Sequence, residues 1–589
     1  MFNFFKSIKS RIYTTSLIAI LISIIFMVTS SFSVDNPDEE CKIIINNKPN
    51  TDNDNSNKNE LPVVGNKEKL EDIIKNNSKY MNRTPNLKLF EMEDSQEIGN
   101  SSNQKSSEDH SKTNTQVDGV DEADVVKTDG NYIYHVNKNR LLITNIDDPK
   151  NMKIVKKIDF KDDFYVTELY ADSNNLTIIG SQNIKIESYL PQIDKDINID
   201  DTRNIMPSTN FVKVMVFDIS DKTNIKQVRD FEIEGNYISS RKINNNLYII
   251  SNKNIFNYII YPNSNNNSSI LEKSSEALLV PIFKDRNGYK KISYDDIHYF
   301  PDSPDANYLN VSSIDVTNSK KDTKIQTYLG SGNNIYCSLK NLYVSVNFYD
   351  TAKNNEKSKL PENGLIYYNN LKTLIYKFSL DKLDVNYQSK GEVPGSILNQ
   401  FSMDEKDDYF RLATTENGQT QKNNLYIMDK NMKTIGKINN IAPGEQIYSV
   451  RFMNDRAYIV TFKTVDPLFV IDIKNPTSPK ILGSLKIPGF SDYLHPFDDN
   501  HIIGFGKDTI EKNGSAYHMG LKMALFDVSD VSNPKQKFQE IIGDRGSDSE
   551  LLRNHKALLF MKEKNFLAFP LTITKNNDNI KNDSNDNFD

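Results

Sequence analysis

The sequence predicts an all-β fold: a β-propeller of seven to eight blades, preceded by an N-terminal apolar helix and a disordered tether. Three observations predict it. An Asn or Asp turn followed by a short apolar strand recurs eight times between residues 131 and 572. The later copies, at Tyr409, Tyr458 and Ile502, stand about 44–49 residues apart, which suits a four-stranded blade. The chain also carries 30 Phe and 29 Tyr but no Trp. That gives bulk for a core and excludes propellers and lectins whose signature is tryptophan.

The recurring strands are NYIYHV (131–136), NLTIIGS (175–181), NLYIIS (246–251) and NLYVSV (341–346), then DYFRLATT (408–415), RAYIVTF (456–462), HIIGFG (501–506) and NFLAFPLT (565–572). Seven are followed by another strand. The clearest are VMVFDISD (214–221), PLFVIDIKNP (467–476) and MALFDVSDVSNP (523–534). A further strand then closes on a Gly or Pro turn, as in GSLKIPGF (483–490). Such a sheet has two apolar faces and cannot bury both alone. Radial stacking buries both and leaves only short edges. A β-sandwich array lacks this regular step, and a β-helix needs a shorter, stricter period. The longer step between Tyr248 and Tyr343 requires an insertion, visible as the Asn-rich YPNSNNNSS from Tyr261. Insertions of this kind fall in loops on one rim and often form a partner-binding surface.

The ends read differently. Lys6, Lys9 and Arg11 precede an uncharged, mostly apolar stretch from Ile12 to Val28. A basic flank before an apolar run is an export signal, so residues 1–33 are expected to be a signal peptide or an uncleaved signal-anchor helix. The remainder then lies outside the cytoplasm, membrane-anchored or secreted. Residues 34–113 are dense in Asn, Asp, Ser, Lys and Glu and read as a polar, largely disordered tether. A short helix is expected near 68–80, where Leu70, Ile73 and Ile74 share one face. Residues 114–573 form the propeller, and 574–589 a disordered tail. Two cysteines, Cys41 and Cys337, exclude a disulfide-built scaffold and give no metal spacing.

The stretch TNTQVDGVDEADVVKTDGNYIYHV (113–136) resembles the opening signature of the secreted β-propeller-domain proteins of bacteria and archaea. Asn114, Gln116, Val117, Gly119, Val120, Asp121, Glu122, Ala123, Asp124, Val126, Lys127, Asp129 and Gly130 match it. Later stretches, among them YLHPFDDNHIIGFG (493–506) and IGDRGSDSELLRNHKALLF (542–560), are similar to that family too. The resemblance implies a propeller over 113–573 and carries over no reaction and no set of site residues. One departure stands out. Family members run on past the FLAFP strand, whereas here the polar tail follows almost at once. The eighth unit is therefore expected to lack its last strands: either seven blades close the ring with an augmented one, or the seam is strained, and an open seam would expose unpaired edges.

For chemistry, Asp118, Asp121, Glu122 and Asp124 form the densest oxygen-ligand run and are the weak candidates for a metal, calcium above all. Their spacing is not that of an EF-hand, and capping of turns competes with metal binding. No other cofactor is expected. Asp218, Asp472 and Asp527 end equivalent strands and should cap the turns that follow. Arg545 suits an inter-blade ion pair or an anion in the channel. The seven histidines show no H-E-x-x-H spacing, although His495 and His501 face each other across a candidate hairpin. No G-x-S-x-G elbow and no phosphate-binding glycine loop is present. A net charge of −7 argues against nucleic acid as partner. The expectation is a monomeric, non-catalytic scaffold for a protein, peptide or cell-envelope polymer, bound through rim loops or the central channel. The alternative is an extracytoplasmic hydrolase or lyase with an acidic, cation-assisted site at the channel mouth.

Overall fold

The computed structural model describes residues 61–81, 113–195, 208–255, 279–300, 307–349, 371–418, 420–463, 466–512 and 514–575. All belong to the unit Lys58–Asp589. The N-terminal apolar stretch, the Asn-rich run from Tyr261 and the residues after 575 lie outside the described residues.

Seven antiparallel sheets follow one another along the chain, each built around four strands in sequence order. They span residues 126–159, 164–234, 236–329, 334–394, 403–441, 446–487 and 490–542, numbered here as blades 1 to 7. A two-stranded hairpin, Leu559–Met561 with Phe566–Ala568, makes an eighth, partial unit. The recurrent sequence strand is the second strand of each sheet, as in Asn246–Lys253, Asn341–Tyr349 and Arg456–Phe462.

Side-chain alternation explains the ring. On the second strand of blade 3, Leu247 and Ile249 pack towards blade 2, and Tyr248 and Ile250 pack towards blade 4. Leu342 and Val344 likewise face blade 3, whereas Tyr343 stacks on Phe410 of blade 5 with ring centroids 4.2 Å apart. Ala457 and Ile459 face blade 5, and Tyr458 faces blade 7. The period of two thus delivers apolar side chains to both neighbours, and each fully buried large residue contributes about 1.5–3 kcal/mol. Tyr134, Tyr248, Tyr343 and Tyr458 are all buried between blades, and Tyr132 is partly so.

Turns and glycines fix the spacing between blades. Asp218, Asp472 and Asp527 accept the N–H of Ser220, Lys474 and Ser529, so each caps the turn after the third strand. The fourth strand then carries a glycine beneath the corresponding turn of the next blade. Gly391 lies under the Met432 carbonyl, Gly436 under Pro476 and Gly483 under Val531. A Cβ at any of the three would overlap that backbone.

The insertion interrupts blade 3 between its second and third strands. Its hairpin, Ile282–Asp285 with Tyr289–Lys291, extends the outer edge of blade 2, and Ile297–Tyr299 pairs in parallel with Lys324–Leu329. On this insertion sits the segment expected to be tether. Val63 pairs with His298, Asn66 caps the helix Lys67–Met81 through Lys69 N–H, and Leu70 and Ile74 are buried against Ile255, Leu279, Ile297 and Tyr308. Residues 61–81 are therefore part of the folded body, because an i, i+4 apolar pair found an apolar floor.

Candidate functional site

The first strand of each blade is the one that sequence periodicity did not flag. It carries fewer apolar residues because one side of it meets the channel. Thr167 and Glu168 come from Phe164–Ala171, and Tyr237, Ser239 and Arg241 from Asn236–Ile243. With Asn333, Asn334 and Asn347 of blade 4 and Asn554 and Lys556 near the C-terminus, they line a cavity of about 550 Å³. The segment 122–125 forms the remaining wall.

That segment is the acidic run, and the structure sends its members in different directions. Asp118 is exposed. Asp121 accepts from Lys127 Nζ at 2.7 Å, and Lys127 Nζ also reaches the Glu122 carbonyl at 2.6 Å. Glu122 is buried. Its Oε1 accepts Gln116 N–H at 2.8 Å, and its Oε2 lies 3.4 Å from His555 Nε2 and 3.9 Å from Arg241 Nη2. Burial alone would raise this carboxyl, but Arg241, His555 and the Gln116 N–H outweigh it and hold it well below the usual range. Asp124 lines the cavity, and its Oδ1 accepts Val125 N–H at 2.7 Å. Burial raises its carboxyl to about 6, despite nearby Lys556 and Lys127. Asp129 lies apart, where it accepts Tyr132 N–H and Tyr134 O–H in a turn. Among the described residues, no three His, Cys, Asp or Glu side chains gather as a metal would require.

The end of the chain meets the start here. Lys556 Nζ donates to the Ala123 carbonyl and to Glu168 Oε2, both at 2.9 Å. Tyr237 O–H donates to Glu168 Oε1 at 2.6 Å. Asn114 Nδ2 donates to the His555 carbonyl and to Tyr493 O–H. Gln116 Nε2 donates to the carbonyls of Gln400, just before blade 5, and Met403, its first residue. Polar side chains of the opening stretch therefore tie blades 3, 5 and 7 to the C-terminal segment. The sequence model of the Beta propeller domain matches residues 110–588.

The chain belongs to the Beta propeller domain family.

Two relatives of this Beta propeller domain protein are uncharacterized archaeal proteins. One, from Methanocaldococcus jannaschii, is 32% identical over 499 residues, covering 72% of this chain and 68% of its own. The other, from Archaeoglobus fulgidus, is 29% identical over 520 residues, covering 79% and 76%. Among solved structures, the β-propeller domain of the Trilobed protease from Pyrococcus furiosus aligns with 70% of this chain and 97% of its own, at 10% identity and a TM-score of 0.26.

His495 does not meet His501. It is buried, with Nδ1 3.0 Å from Tyr493 O–H, whereas His501 pairs with Asp498. Burial, with Arg451 and His555 nearby, depresses His495 to about 3. Arg545 is exposed on the turn after blade 7, outside the cavity wall. Cys337 is a free, buried thiol. Sequence reasoning passed over Glu168, Tyr237, Arg241 and Lys556. Tyr237 and Arg241 stand in NYISSRKI and Lys556 in LLRNHKAL, among other polar residues, so no local signal singled them out.

Proposed function

We propose that this propeller is an extracytoplasmic scaffold that binds a protein or cell-envelope polymer at the channel mouth and performs no catalysis. One observation carries the reading. The cavity presents neutral hydrogen-bonding groups, Asn236, Asn333, Asn334, Asn347, Ser181 and Ser239, while Lys556–Glu168 and Arg241–Glu122 pair with each other. Such a wall suits a polar chain with amides or hydroxyls of its own. The location outside the cytoplasm rests on the basic flank Lys6, Lys9 and Arg11 before the apolar stretch Ile12 to Val28, a pattern that suits an export signal. The test is capture of envelope material on the full chain, with and without a chelator. Retention of a component that is weakened by the double substitution Asn333→Ala and Asn334→Ala is expected. Retention unchanged by that substitution counts against the channel.

A second reading is favoured by one specific observation: Asp124, Glu168 and Lys556 converge on the same cavity, and Asp124 titrates near 6. This is the arrangement of a general acid–base site in a hydrolase or lyase. Turnover of an envelope polymer that is lost in Asp124→Asn would select it.

A further inference from the structure

The acidic residues at the cavity wall differ in one respect. Glu122 has Arg241 and His555, and Glu168 has Lys556, as Asp121 just outside the wall has Lys127. Asp124 has no cation within ion-pair distance among the described residues, although only 6% of it is exposed. Its Oδ1 takes the adjacent Val125 N–H, and no described group bonds its Oδ2. A buried carboxylate without a counter-ion is costly, and burial accordingly raises this one. The neighbouring walls carry neutral oxygens on Asn334 and Ser181, further oxygens on Asn236, Asn333 and Ser239 that already accept one bond each from Asn210, Asn347 and Arg241, and the ring of Tyr237.

Resting on the scaffold reading above, we propose that the cavity binds the ammonium group of a peptide, with Asp124 as its counter-ion. An ammonium has three donors and no acceptor. One donor meets Asp124 and the others meet amide or hydroxyl oxygens, while the Asn side chains pair with the peptide's own N–H and C=O groups. A volume of about 550 Å³ lies within the range of small-ligand sites. A divalent cation fits less well, because Lys127 and Lys556 stand beside Asp124 and no second free carboxylate is at hand. The ammonium has two sources, a lysine side chain or a peptide N-terminus.

The test is calorimetric titration of the full chain at pH 7.5 with three tripeptide amides: N-acetyl-Gly-Gly-Lys, free Gly-Gly-Gly and N-acetyl-Gly-Gly-acetyl-Lys. One of the first two should bind at least about tenfold tighter than the third, and which one does so names the source. Asp124→Asn should reduce that peptide to the level of the acetylated one with the thermal transition retained. Lys556→Met should tighten it, since the competing ammonium is gone. Lowering the pH to 5 should weaken it about tenfold as Asp124 protonates, because Lys556 holds Glu168 below the usual carboxylate range and Glu168 holds the Lys556 ammonium above its own. Equal binding of all three peptides, or amine binding unchanged by Asp124→Asn, would overturn the assignment and leave the scaffold reading standing. Binding of none overturns it too, and envelope capture alone then decides the scaffold reading. Calcium binding lost in Asp124→Asn, with no preference for the amine, would give the carboxylate to a metal instead.

Discussion

Oε2 of Glu122 lies 3.4 Å from Nε2 of His555, joining the segment before blade 1 to the segment after blade 7. No buried apolar cluster links blade 1 to the eighth unit among the described residues. Phe566, Leu571 and Ile573 on one side, and Val126 and Ile154 on the other, are exposed. The ring is held at its seam by buried polar contacts such as Glu122–His555, where charge-assisted bonds are strong.

Glu122→Ala should therefore destabilise the fold by about 3 kcal/mol, because Arg241 and His555 lose a buried partner. The folded carboxyl is depressed from 4.5. Its contribution is thus fully present above that value and is lost as pH falls towards the folded one. Denaturant midpoints at pH 7 and pH 4 should show a smaller acid loss in Glu122→Gln than in the wild type.

Asp124 works in the opposite sense. Its folded value is raised from 3.8 to about 6, so the folded state binds the proton more tightly and stability falls as pH rises through that window. Asp124→Asn should stabilise the protein by about 1–3 kcal/mol at pH 7.5 and have little effect below pH 4. A gain in stability accompanied by a loss of ligand is the mark of a functional carboxyl. Chemical unfolding at the two pH values measures it.

His495 is held neutral, depressed from 6.5 to about 3. The unfolded chain takes up the proton first, so stability is lost as pH falls between those values. His495→Asn should flatten that part of the melting-temperature profile, even if it costs stability at pH 7.

The docked helix is separable from the ring. Leu70→Ala or Ile74→Ala should cost about 2–4 kcal/mol locally and raise hydrogen exchange across 67–81. Exchange in blades 5 to 7 should not change. Gly436→Ala is the contrasting case: the new Cβ meets the Pro476 backbone, so blades 5 and 6 must separate and the whole ring should melt earlier.

The repeat, the second, third and fourth strands of its blades and the Asx turns at Asp218, Asp472 and Asp527 were legible in the chain alone. These follow from local rules: alternation in a strand and the hydrogen bonds of a capped turn act over a few residues. Tertiary structure alone decided the rest. The first strands were hidden because a channel-facing side needs no apolar alternation. The helix face at Leu70 and Ile74 was visible, but its floor on the blade 3 insertion was not. Glu122, Arg241, His555, Glu168 and Lys556 come together only when the ring closes. Charge pairing at a distance of hundreds of residues leaves no period in a single chain, and for the same reason buried Asp124 was indistinguishable from Asp121 and Glu122 until the fold gave those two an ion pair and left Asp124 without one.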